Sequence, residues 1–107
     1  MTRSESVAEY FRTHGRRRLD RVEVRDGGRN ARCALALLDA AAYAGSLDDG
    51  DPLITGLVEA GCFGPGGDGP FDPGDEGLAI VKNWESGEPW QLLFAIRSAA
   101  AQAGAPA

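Results

Sequence analysis

A mainly α fold, a small bundle of four to five helices forming a single domain over residues 1–107, is what this chain predicts. Three observations carry it. Apolar residues recur at i, i+3, i+4 and i+7 rather than alternately. Helix-start signals, Asp-Pro above all, stand ahead of those runs. Gly- and Pro-rich breaks separate one run from the next. A chain of 107 residues buries roughly two-thirds of its unfolded surface, enough for one core without staples. Its 43% hydrophobic and 25% charged content is that of an ordinary globule. The apolar share comes more from Ala than from large aliphatics, so a thin core is expected.

Ser6-Val-Ala-Glu9 has the form of a capping box. Behind it Val7, Tyr10, Phe11 and His14 share one helical face. Gly15 ends this helix, or the helix runs on through Arg16, Arg17 and Arg18. Val22 and Val24 then alternate with charged residues until Gly27-Gly28, which fits either a short extended segment near residues 21–25 or an irregular connector. Asn30 is placed to cap a helix over residues 31–44. That helix is apolar nearly all round, apart from a stripe of Arg32, Asp39 and Tyr43, so it is expected to be central and covered on most sides.

Asp51-Pro52 reads as N-cap and first helical position of a helix ending about Phe63, with Leu53, Ile54, Leu57 and Val58 on its apolar face. Residues 64–71 form a loop. Asp72-Pro73 repeats the start signal 21 residues on, with Gly56, Leu57 and Phe63 echoed by Gly77, Leu78 and Trp84. The echo favours helix over residues 75–84, against a strand through residues 78–81. The last helix runs from about Pro89 to Gln102. Trp90, Leu93, Phe94, Ile96 and Ala100 face inward or sideways, and residues 103–107 are a frayed tail.

Charge is divided along the chain. The first 32 residues hold nine arginines against five acids, a formal +4; the remainder holds Lys82 and Arg97 against eleven acids, a formal −9. Such a chain binds a polyanion, docks a partner, or closes its basic end on its acidic half. Arg12, Arg16, Arg17, Arg18 and Arg21 are the candidate basic face, since guanidinium groups match phosphate and carboxylate geometry. The net charge of −5 weighs against nucleic acid. So does the second helix of the helix-turn-helix-like order, which offers only Thr55 and Glu59 and starts among aspartates. Trp84, Trp90 and Tyr43 are the candidate interface aromatics, because interfaces favour Trp, Tyr and Arg.

The acids of the two turns, Asp48, Asp49 and Asp51, and Asp68, Asp72, Asp75 and Glu76, follow no calcium-loop spacing. They are expected to be turn acids that serve helix starts. No His/Cys cluster with metal spacing occurs, and no phosphate-cradling glycine motif. Neither a metal nor another cofactor is expected. Catalysis would have to use His14, the only histidine, with the loop carboxylates or with Cys33 or Cys62. Those two cysteines read as buried thiols rather than a bridge. No run nears the roughly 20 apolar residues that span a bilayer, and the first residues show no apolar signal region. The leading expectation is a small cytoplasmic interaction or regulatory module without catalysis, with a protein partner or self-association. A polyanion binder and a small His14 enzyme are the alternatives.

Overall fold

A computed structural model describes residues 1–103 and shows five helices and, among the described residues, no strand. They are α1 (Arg3–Leu19), α2 (Arg29–Gly45), α3 (Pro52–Glu59), α4 (Gly74–Lys82) and α5 (Pro89–Ala103). The fold is thus the small helical bundle that the periodicity predicts, and residues 78–81 are helix. Of the frayed tail expected at 103–107, Ala103 closes α5 and the rest lies outside the described residues.

α1 begins a turn earlier than Ser6-x-x-Glu9 suggests. Its capping box is Thr2 with Glu5: the Glu5 N–H donates to Thr2 Oγ1 (3.1 Å) and the Thr2 N–H to Glu5 Oε2 (3.3 Å). A distant carboxylate completes the cap. Asp49, in the α2–α3 turn, accepts from the Ser4 and Arg3 N–H groups (3.0 and 3.1 Å), at the positive end of the helix dipole. Those bonds hold the Asp49 carboxyl below its ordinary range. Ser6, relieved of capping, accepts the Phe71 N–H at 2.9 Å. Gly15 does not stop the helix. A Cβ there would stand 3.1 Å from Leu38 of α2, so glycine lets the two helices close together, and α1 continues to Leu19.

No extended segment forms at residues 21–25, where a lone strand would have had no partner. Asp26 gathers the connector into turns, accepting from the Glu23 and Gly28 N–H groups and from Asn30 Nδ2 (2.9, 2.7 and 3.0 Å). Asn30 is therefore spent on the connector, and α2 starts at Arg29 behind Gly28 (φ 80). α2 buries Cys33, Ala34, Leu37, Ala40, Ala41 and Ala44 yet leaves Leu35 63% exposed, so it is less covered than its composition implies.

The Asp-Pro echo has a physical basis. Asp51 accepts from the Leu53 N–H and Asp72 from the Gly74 N–H, each at 2.9 Å. At α4 the register moves by one: Pro73 occupies the N-cap position and Gly74 (φ 78) opens the helix. The two echoed glycines also share a purpose. A Cβ on Gly56 would meet Arg97 of α5 at 2.9 Å, and one on Gly77 would lie 3.5 Å from Ile96 of α5, so both let α5 lie close. α3 ends at Glu59, before Phe63, because Gly61 (φ 87) reverses the chain and the Cys62 N–H returns to the Leu57 carbonyl (3.0 Å).

The loop that follows is folded back by Gly69 N–H on the Phe63 carbonyl (2.9 Å) and Asp72 N–H on the Cys62 carbonyl (2.8 Å). This delivers Phe71 to the end of the bundle, its ring 5.2 Å from Tyr10, 5.6 Å from Phe63 and 6.1 Å from Phe11. The core joins these aromatics to Val7, Leu37, Ile54, Leu57, Val81, Leu92, Leu93 and Ile96. Each such side chain contributes roughly 1.5–3 kcal/mol by burial.

Gly77→Ala tests the tightest of these contacts. Alanine is favoured inside a helix by about 1 kcal/mol, but its Cβ would stand 2.6 Å from Cβ of the rigid Pro73 ring. Overpacking of this kind costs roughly 1–3 kcal/mol, so the urea midpoint is expected to fall. A raised midpoint would show that the Pro73 turn yields.

Candidate functional site

Continuation of α1 past Gly15 carries its arginines along the bundle to the end of α4. There His14, Arg17, Arg18 and Arg21 meet Lys82 across a cleft of about 200 Å³ whose floor is Leu37. Leu37 is fully buried. Arg18 is the fixed member: its guanidinium donates to the Lys82 carbonyl and to Asn30 Oδ1, the latter at 2.8 Å. Arg17, Arg21 and Lys82 are exposed and have no carboxylate within 4.0 Å among the described residues. No acid lines the cleft.

His14 stands between this cleft and a second hollow of about 390 Å³, lined by Tyr10, Phe71 and Pro70 among others. Its ring lies 4.6 Å from that of Tyr10. Burial, and then the positive charges of Arg17 and Lys82, push His14 below its ordinary value. Burial, with Asp72 acting in the same sense and Arg17 against it, raises Tyr10. So His14 is the neutral wall of a positively charged site.

The other candidates are dispersed. Arg12 pairs with Glu9 one turn back on α1, and Arg16 is exposed outside the cleft. Trp84 is half-buried against the core with Gly87 close over its ring. Tyr43 is likewise packed against the core. Trp90 is 47% exposed, and Phe94, one turn on, is 51% exposed rather than turned inward. Sequence reasoning overlooked Lys82, which looks like a stray cation in an acidic half. Its only local signal is its place in the last turn of α4, and nothing in the sequence puts that turn beside α1.

The basic segment is also used internally. Arg3 reaches the Gly67 carbonyl (3.0 Å) and approaches Asp68 (3.9 Å), while Arg29 and Arg32 share Glu85 at 3.4 Å each. Three of the seven turn acids, Asp49, Asp51 and Asp72, bind backbone amides. Among the described residues no group of three His, Cys, Asp or Glu is placed to hold a metal ion. Cys33 and Cys62 are separate buried thiols. Burial and then Asp72 push Cys62 up to about 11, which leaves it protonated and inert at neutral pH. Although His14 does line a hollow, it forms no hydrogen bond to a carboxylate, thiol or hydroxyl among the described residues. Comparisons with protein-family models, with curated proteins and with solved structures return no match for the chain.

The sign of the His14 shift sets a pH dependence. The folded state binds this proton less readily than the unfolded chain, whose histidine titrates near 6.5. The stability from neutral His14 is therefore present above about 6.5 and is lost as pH falls through the lower, folded value. NMR titration is expected to place the His14 midpoint below 6.5, and Lys82→Gln to raise it. A midpoint at or above 6.5 would show that Arg17 and Lys82 do not act on the ring.

Proposed function

We propose that this protein is a small non-catalytic interaction module that docks an acidic segment of a protein partner on the basic end of α1. One observation carries the reading: Arg17, Arg21 and Lys82 converge on a concave surface and have no acid to neutralise them. Neighbouring like charges destabilise a folded surface, and an acidic partner relieves that repulsion. Arg16, exposed one residue earlier, lies outside the cleft and adds positive charge beside it. The cleft is too small to hold a duplex, and the body outside it is acidic. This favours a protein segment over nucleic acid. The reading includes a cytoplasmic location, supported by two buried thiols that are unpaired.

The test is capture from native extract with the wild-type chain and with an Arg16→Glu, Arg17→Glu, Arg21→Glu variant. Partners held through acidic segments are expected on the wild type and lost from the variant. An unchanged set, or none, overturns the docking reading. Labelled nucleic acid that binds tightly at low salt and releases steeply as salt rises would replace it with the polyanion reading.

A second reading, self-association through α5, is favoured by Trp90 and Phe94, two aromatics exposed one turn apart. Light scattering is expected to show a dimer that Trp90→Ser with Phe94→Ser returns to monomer. A wild-type monomer at high concentration would remove this reading.

A further inference from the structure

An acidic segment offers carboxylates, each a single negative charge with two acceptor oxygens. The cleft is built for more. Arg17 and Arg21 bring guanidinium forks, Lys82 brings an ammonium with three donors, and His14 brings a ring N–H. Arg18, held by the Lys82 carbonyl and Asn30, fixes the wall they share. Leu37, fully buried, gives the cleft an apolar base.

We propose that this cleft is a binding site for one phosphate monoester, carried by a phosphorylated side chain of the docked segment. The inference rests on the docking reading and names its ligand. A phosphorylated residue carries about −1.5 to −2 charges at neutral pH and three acceptor oxygens. That matches several converging cations better than a carboxylate does. Arginine forks bind phosphate oxygens in pairs, and a wall fixed before binding reduces the ordering cost. The volume of about 200 Å³ holds several waters at roughly 30 Å³ each. It therefore accommodates one phosphate group. The adjoining hollow, which shares His14 and Arg17 and is faced by Tyr10 and Phe71, receives an apolar side chain beside the phosphorylated one.

The test titrates the full-length protein with inorganic phosphate at constant ionic strength. A phosphoserine peptide with a neighbouring leucine and its glutamate counterpart are titrated in parallel. NMR shifts are expected at His14, Arg17 and Leu37, with the phosphopeptide binding more tightly than the glutamate peptide. Loss of one charged donor typically weakens such binding about tenfold or more, so Arg17→Gln and Lys82→Gln are each expected to do so. Both side chains are exposed, and a retained melting profile shows that the variants fold. Equal phosphate binding by wild type and both variants, or an equal response to chloride, overturns the site. Binding of the glutamate peptide without any response to phosphate overturns the phosphate inference and keeps the docking reading. Phosphate binding in the cleft with no partner captured from extract keeps the site and overturns the docking reading.

Discussion

The close approach of α1 and α2 at Gly15 is the constraint on which the rest depends. Any side chain at that position would press on Leu38, 3.1 Å from where its Cβ would sit. With glycine there, α1 passes unbroken from Arg3 to Leu19. Its last turn then arrives beside the C-terminus of α4, where Arg18 finds the Lys82 carbonyl. Had α1 stopped at Gly15, Arg17 and Arg18 would have hung on a loop instead of a helix packed on α2. The concentration of positive charge is thus a consequence of helix packing, transmitted through one residue without a side chain.

Electrostatics position this structure more than they hold it together. The ion pairs of Arg3, Arg29 and Arg32 are solvent-exposed at one or both ends, and pairs of that kind contribute about 0–1 kcal/mol each. Four aspartates act through backbone amides instead. Asp49 closes the start of α1, Asp51 that of α3 and Asp72 the turn into α4, while Asp26 ties the connector before α2. Acids committed in this way sit at helix starts, away from the cleft. Arg3, Arg29 and Arg32 thus find an acid across the fold, whereas Arg16, Arg17 and Arg18 at the end of α1, and Arg21 just beyond it, have none within 4.0 Å among the described residues.

What the residues disclosed was local, and what they hid was not. Asp51-Pro52 and the start at Pro89 carry their structural meaning within a few positions, and the helical class follows from periodicity. Two consecutive boxes, Thr2 to Glu5 and Ser6 to Glu9, have the same form. The choice between them is made by Asp49, more than forty residues away. Periodicity assigns a face to a side chain but not a neighbour. Leu35 and Phe94 are apolar and still exposed, because among the described residues no helix lies over that side of α2 or α5. Lys82 was unreadable for the same reason. Charge counted along the chain places it in the acidic half, whereas charge counted in space places it with the arginines.

That spatial count bears on stability as well as recognition. α1 packs along α2 and α4 packs on α5, while α1 and α4 touch only sparingly. The direct tie between their ends is the hydrogen bond from Arg18 to the Lys82 carbonyl, set among cations that repel one another. An anion in the cleft would offset that repulsion and bridge the two helices through Arg17 and Lys82. Whatever binds the folded state alone stabilises it by an amount that grows with the logarithm of ligand concentration above its dissociation constant, so an anion held across this sparse seam would add to stability as well as to recognition. An anion bound there would couple binding to folding at the junction of α1 with α4, and that coupling would depend on the glycine that lets α1 pack closely on α2.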